Sequence, residues 1–83
     1  MHVISSLSSQ LNEAKEDFKS SVARRLKSAR DEKGYTQEKV AGIVGLKRTT
    51  ITNIERGTQS ATLLELALLC DALDVTADYV LGR

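Results

Sequence analysis

A run of polar side chains between residues 47 and 56 carries the clearest chemistry in this sequence. If the stretch is a helix, Ile51 and Ile54 face inward, because apolar positions at helical spacing mark the buried side. Arginine can donate two hydrogen bonds to guanine, asparagine can pair with adenine, and threonine can contact several bases. The positions left facing outward are Lys47, Arg48, Thr49, Thr52, Asn53 and Arg56. This face suits the reading of base-pair edges, although an ordinary solvated helix face has a similar composition.

Other kinds of site find little support in the residue types. The single cysteine, Cys70, cannot form an internal disulfide, and a zinc site needs several ligands. It is expected to act as a small core hydrophobe. His2 stands near the amino terminus without a metal partner, and no nucleophile with a base, phosphate loop or pair of catalytic carboxylates can be assembled. The sequence therefore predicts neither an enzyme nor a metal or cofactor site.

Length and composition bound the remaining possibilities. The chain has 83 residues, room for one small domain, and 41% of them are hydrophobic. No apolar run reaches the roughly 18 residues of a membrane span, and the first seven residues lack the features of a secretory signal. A lone free thiol is typical of a reducing compartment. We therefore expect a cytoplasmic protein without a membrane association.

Charge is segregated along the chain although the net charge is only +1. Residues 18–58 carry ten cations and four carboxylates, a net charge of +6. The preceding segment carries −2 and the following one −3. A basic middle between acidic ends is compatible with a polyanionic partner, but basic solvated helices are also common.

Helical spacing and stop signals predict three helices in the first two-thirds of the chain. The first ends before Gly34, and its inward positions are Phe18, Val22, Leu26 and Ala29. The second begins after Thr36, whose hydroxyl can cap it, and stops at Gly45. Its inward positions are Val40, Ala41 and Val44. The third spans about 47–56 and stops at Gly57.

Two further helices are predicted towards the carboxyl end. Thr62 and Glu65 have the spacing of a capping box, and Thr76 precedes a short helix over 77–81 that Gly82 closes. The inward positions of the fourth helix are predicted to be Leu63, Leu66, Ala67, Cys70 and Leu73. Helices this short are unstable alone, so they must share one core. The predicted fold class is all-α, a compact bundle.

From about Phe18 to Leu81 the chain resembles the XRE-type, lambda-repressor-like helix-turn-helix family. The motifs that carry the resemblance are Arg30, Thr36-Gln37-Glu38, Ala41, Gly45, Ile51, the run Ile54-Glu55-Arg56-Gly57, and the tail from Leu73 to Gly82. The resemblance implies a five-helix DNA-binding domain over residues 18–83, preceded by an extension over residues 1–17. It also implies a sequence-specific, double-stranded DNA-binding transcriptional regulator, expected to be a repressor. Such a protein would act as a homodimer on a near-palindromic operator.

The resemblance also implies roles for individual residues. Arg48, Thr49 and Asn53 match the positions that read bases, and Gln37 matches a glutamine that contacts a DNA phosphate. Contacts to the DNA backbone are usual in the family at the positions of Lys47, Thr52, Arg56, Thr58 and Gln59. Arg30 and Glu55 match a salt bridge inside the domain and are interpreted as structural.

Three features depart from the family pattern: Ala61 stands where the family often has proline, and the other two concern apolar side chains. Leu64 and Leu68 stand where polar residues are usual, so they form a small exposed apolar patch. The extension has an apolar stripe formed by Leu7, Leu11, Ala14 and Phe18. It predicts an amphipathic helix, either separate from the first helix or continuous with it. Either the extension covers the leucines of its own domain, or the patch serves a dimer partner, with Tyr79 adding to the interface. An alternative function is that of a protein-interaction module or an antitoxin-like partner-binding protein with the same fold.

Overall fold

Five helices form the regular structure of residues 2–83, the part of the chain that the computed structural model describes; side chains are described from Ser9 onward. The helices are α1 (His2–Lys33), α2 (Gln37–Val44), α3 (Arg48–Arg56), α4 (Leu63–Leu73) and α5 (Ala77–Leu81). No strand occurs in these residues, so the all-α, five-helix prediction is confirmed. No helix in the described part of the chain has the length and apolar character that crossing a bilayer requires.

Helix α1 includes both the helix predicted for the extension and the first predicted helix of the domain. It contains 32 residues, and at about 1.5 Å per residue it accounts for the 49 Å long dimension of the molecule. Residues 2–17 of the predicted extension and the first predicted helix thus form one continuous helix. Its side chains from Ser9 to Phe18 are exposed. The side chain of Leu7 lies outside the described residues.

The hydrophobic core joins all five helices. The buried apolar residues at its centre are Leu26, Ala29, Val40, Ala41, Ile51, Ile54, Leu69, Cys70, Leu73 and Val80. Helix α1 packs against α3, α4 and α5, and α2 packs against α3 and α4. Because α5 supplies the fully buried Val80, the short last helix closes the core rather than trailing from it.

The prediction that Phe18 belongs to the core is wrong. Its side chain is 54% exposed, because the packing of α1 against the other helices begins about one turn later, at Val22. Phe18 and Val22 instead line an open groove together with Leu66 and Leu81. Helical spacing therefore identified the correct face of α1 but not the point where the domain ends.

Two of the five inward positions predicted for α4 are also wrong. Leu63 is 88% exposed and Ala67 is exposed, whereas Leu69, which was not predicted, is buried. The residues of α4 that face the core are the half-buried Leu66 and the buried Leu69, Cys70 and Leu73. The buried residues lie three, four and seven positions after Leu66, which is the spacing of one helix face. Leu63 occupies the first helical position, ahead of the turn at which this face begins.

The predicted helix boundaries follow the capping residues. The hydroxyls of Thr36, Thr62 and Thr76 each accept a hydrogen bond from a backbone N–H three residues later, at 3.0–3.1 Å. Glu65 returns a bond to the N–H of Thr62 at 2.9 Å, which completes the capping box. Helix α4 ends at Asp74, which has a left-handed φ of 56° where most caps in this chain are glycine. Aspartate tolerates that region better than most residues.

Candidate DNA-binding surface

A tight turn joins α2 to α3 and sets the angle between them. Gly45 ends α2 in the left-handed region with φ 73°, which a residue without a Cβ adopts without strain. The carbonyl of Ala41 accepts hydrogen bonds from the N–H groups of Gly45 at 2.9 Å and Leu46 at 3.0 Å. Ala41 itself is buried, and its small side chain lets the two helices pack closely. The result is a helix, a turn and a second helix held as one unit.

Helix α3 has one apolar face and one polar face. Ile51 and Ile54 are 2% and 3% exposed, so they fix the helix from beneath. The first turn presents Arg48 and Thr49 to solvent, and Lys47 precedes it as an N-cap residue whose side chain makes no capping bond. The remaining polar positions are the exposed Arg56 and the half-buried Thr52 and Asn53. All six polar positions predicted from the sequence therefore lie on or beside one solvent-facing surface.

The segment after α3 is tied back to that helix. Gly57 ends α3 with φ 76°, and the carbonyl of Asn53 accepts bonds from the N–H groups of Thr58 and Gln59. The Thr58 hydroxyl donates to the same carbonyl at 3.2 Å. Thr58 and Gln59 are both exposed, and these bonds hold them close to the end of α3.

Beneath the polar face lies an ion pair between Arg30 of α1 and Glu55 of α3. Arg30 donates from Nε to Glu55 Oε2 at 2.7 Å and from Nη2 to Oε1 at 3.0 Å. The Arg30 and Glu55 side chains are only 10% and 7% exposed. Nη1 of Arg30 donates to the carbonyl of Tyr35 at 2.8 Å, which ties the α1–α2 connection to the same pair. The hydrogen bonds to Glu55 raise the pKa of Arg30 above its ordinary value, against the opposing effect of burial.

Gln37 connects this ion pair to the solvent-facing side of α3. Its Nε2 donates to Glu55 Oε1 at 3.0 Å, and its Oε1 accepts from the hydroxyl of Thr52 at 2.8 Å. The sequence placed Gln37 and Thr52 at the surface but gave no sign that they bond to each other. These bonds join residues 15 and 18 positions apart, on different helices, so no local pattern could reveal them.

A shallow depression opens where the start of α2 meets the start of α3. It has a volume of about 380 Å³ and is lined by Arg30, Thr36, Gln37, Glu38 and Arg48. The guanidinium of Arg30 is already bonded to Glu55 and to the Tyr35 carbonyl, so the charged groups of this lining that are outside the ion pair are those of Glu38 and Arg48.

Apolar side chains are exposed on the first half of α4. Leu64 is 70% exposed and Leu68 is half-buried, and with Leu63 and Ala67 they form what we call the α4 apolar patch. Tyr79, on α5, is 43% exposed. Helix α1 runs straight through residues 2–17, and Leu11 remains 62% exposed. The described part of the extension therefore does not fold back over the patch, which removes the first of the two alternatives drawn from the sequence.

Comparison with known proteins identifies the class to which this architecture belongs. A helix-turn-helix family model, HTH_3, matches residues 26–80. The control protein C.SmaI of Serratia marcescens is 36% identical over 67 residues, which cover 81% of this chain and 80% of that protein. The antitoxin HipB of Escherichia coli strain K12 is 33% identical over 67 residues, covering 69% of this chain and 76% of HipB.

The fold matches solved structures equally well. The restriction-modification controller protein C.AhdI of Aeromonas hydrophila superposes with a TM-score of 0.70 at 31% identity, covering 74% of this chain and 92% of that one. The chain belongs to the HTH_3, XRE-type helix-turn-helix family, as the sequence motifs indicated. It is a DNA-binding transcriptional regulator.

Proposed function

We propose that this protein is a sequence-specific repressor that inserts α3 into the major groove of duplex DNA. The observation that carries the proposal is the two-faced character of α3. Ile51 and Ile54 lock one face into the core, so the opposite face projects as a fixed array. A helix with this presentation fits the width of the major groove, where each base pair has its own donor and acceptor pattern.

The proposed base readers are Arg48, Thr49 and Asn53. Arg48 and Thr49 lie in the first turn of α3, the end of a recognition helix that reaches deepest into the groove, and Asn53 follows about one turn later. Phosphate contacts are assigned to Gln37, Lys47, Arg56, Thr58 and Gln59, which surround the helix. Thr52 stands apart from this set because its hydroxyl donates to the side chain of Gln37, which is itself assigned to a phosphate. Phosphate contacts position the protein, whereas base contacts determine the sequence that it prefers.

Methylation interference tests the placement of α3. Dimethyl sulfate methylates guanine at N7, in the major groove, and adenine at N3, in the minor groove. We expect guanine methylation within the bound site to block binding, and adenine methylation to be tolerated. Interference from minor-groove adenines alone would contradict the proposed docking of α3.

We further propose that two copies associate through the α4 apolar patch and Tyr79. Leu64 and Leu63 are 70% and 88% exposed, and neighbouring leucines this exposed are unusual on a small monomer. Association with a symmetric partner would remove them from water. A two-fold dimer would present two α3 helices to half-sites about 34 Å apart, on a near-palindromic operator. Sedimentation velocity measures this directly, and a protein that stays monomeric at tens of micromolar, on and off DNA, would contradict the proposal.

An antitoxin-like role is a second candidate, in which the same patch binds a different protein. The similarity to HipB and the exposure of Leu63 and Leu64 favour it. It differs from the homodimer in its prediction for the purified protein, which would be monomeric and would gain stability only from its partner. Duplex binding with no preference among sequences would favour this role over that of a repressor.

A further inference from the structure

We propose that Thr52 and Glu55 act on DNA through Gln37, as positioning residues that hold its amide with one N–H turned towards a phosphate. The inference rests on the proposed phosphate contact of Gln37. It goes further by assigning two residues of α3 to the support of a residue of α2. It also changes the expectation for Thr52, from a direct DNA contact to an internal donor.

Glu55 decides which way round the Gln37 amide lies. A carboxylate only accepts hydrogen bonds, so the group facing Glu55 Oε1 at 3.0 Å must be the NH₂ of the amide. The reversed amide would bring two acceptors together. Because Arg30 holds both carboxylate oxygens of Glu55, the carboxylate cannot turn aside to relieve that contact.

Thr52 completes the arrangement from the other side. With the NH₂ group on Glu55, Oε1 of Gln37 faces Thr52 Oγ at 2.8 Å and must accept its proton. The hydroxyl has one proton, and its one other acceptor in the described part of the chain is the carbonyl of Arg48 at 3.1 Å. In either bond the proton stays within the protein, so Thr52 has none to donate to a phosphate oxygen.

One hydrogen of the Gln37 amide is left over. Nε2 carries two, and Glu55 is its one acceptor among the described residues. Gln37 occupies the first position of α2, where unpaired backbone N–H groups and the helix dipole also favour an anion. The free N–H belongs to the amide that lines the depression between α2 and α3. The series of hydrogen bonds through Arg30, Glu55, Gln37 and Thr52 therefore links the buried side of the domain to its surface. There it holds an N–H group that can donate a hydrogen bond to a phosphate.

A double-mutant cycle on the full chain tests the inference. The variants are Gln37→Ala, Thr52→Val and the two combined, with affinity for a fixed preferred duplex measured by fluorescence anisotropy. Losing a hydrogen bond to a charged phosphate corresponds to a fall of about tenfold or more, which we expect for Gln37→Ala. Thr52→Val, which keeps the shape but removes the hydroxyl, is expected to weaken binding about threefold or more. The double variant should bind like Gln37→Ala alone.

Thr52→Ser is the matched control, because it keeps the hydroxyl and is expected to bind within twofold of the wild type. Circular dichroism melts establish that each variant remains folded. Independent effects that multiply in the double variant would overturn the inference, because Thr52 would then touch DNA itself. Thr52→Val without any effect would also overturn it, since Glu55 alone would then fix the amide.

Different results would contradict the proposed function and this inference. If Gln37→Ala leaves affinity unchanged while Arg48→Ala abolishes base preference, DNA reading by α3 stands, and both the phosphate contact and the inference fall. If no variant on either helix changes binding, the proposed recognition surface itself is refuted.

Discussion

Replacing Glu55 by alanine is expected to destabilise the domain strongly, because it leaves the Arg30 guanidinium buried without its carboxylate. Two hydrogen bonds, at 2.7 and 3.0 Å, join side chains that are 10% and 7% exposed. Breaking a pair at that depth typically costs about 3–5 kcal/mol. Arg30 keeps the bond to the Tyr35 carbonyl and the nearby exposed carboxylate of Asp31 at 3.5 Å, so the lower end, about 3 kcal/mol, is expected.

That loss is large relative to the whole stability of the domain. A chain of 83 residues is expected to have a free energy of unfolding of about 4–12 kcal/mol. For a domain of this size, 3 kcal/mol corresponds to a fall in Tm of roughly 12–24 °C. The hydrogen bonds to Glu55 raise the pKa of Arg30 in the folded protein. The stability that Arg30 contributes is therefore complete at any pH below the pKa of arginine in the unfolded chain, and it is lost only as pH rises through the higher folded pKa. Arg30 should therefore add no pH dependence to this loss near neutrality.

Urea unfolding followed by circular dichroism at 222 nm measures the effect. Glu32→Ala is the matched control, because this exposed glutamate of α1 has no ion pair among the described residues and should change stability by less than about 0.5 kcal/mol. A loss below about 1 kcal/mol for Glu55→Ala, with an unchanged m-value, would refute the reasoning that the pair stabilises the domain.

Three further outcomes follow from the same structure. Arg48→Ala should relax base preference at one position and cost about 1–3 kcal/mol of binding free energy. Lys47→Ala should weaken binding to all sequences alike and lower the slope of log affinity against log salt concentration by about one. Binding titrations at several salt concentrations separate the two effects. Leu64→Ser with Leu68→Ser should reduce the molecular mass found by sedimentation from dimer to monomer, and an unchanged mass would exclude this patch as the interface. Burial, with a smaller effect of Asp71, raises the pKa of the Cys70 thiol, so native protein at pH 8 should react with a thiol reagent far more slowly than protein in urea. Because the thiol of the unfolded chain ionises at a lower pH than that of the folded protein, the free energy of unfolding should fall as pH rises above about 9. Cys70→Ala should show a weaker dependence on pH, and urea midpoints measured across that range test both expectations.

Local signals predicted the boundaries of α2, α4 and α5 well, because the interactions that set them are local. Thr36, Thr62 and Thr76 each bond to a backbone N–H three residues away, and Gly45 ends α2 through its own φ. The two inward positions of α3 were equally clear, since a nine-residue helix with only two large apolar residues has one possible buried face.

Tertiary contacts were predicted less well, because they depend on where other helices end. Phe18 continues the apolar stripe of α1 but lies beyond the packed part of the domain, so periodicity alone placed it in the core. Helix α4 is apolar nearly all round, which left its inward face ambiguous and led to Leu63 in place of Leu69. The bonds from Gln37 to Glu55 and Thr52 needed the angle between α2 and α3, which no single segment of sequence contains.

Selection from a random pool of DNA duplexes at about 150 mM salt, followed by sequencing of the bound fraction, tests the central claim most directly. Specific binding survives at this salt concentration, whereas contacts to phosphates alone are weakened. A repressor that reads the major groove with α3 should enrich an inverted repeat with half-sites about one helical turn apart. A folded protein that enriches no sequence would contradict the account.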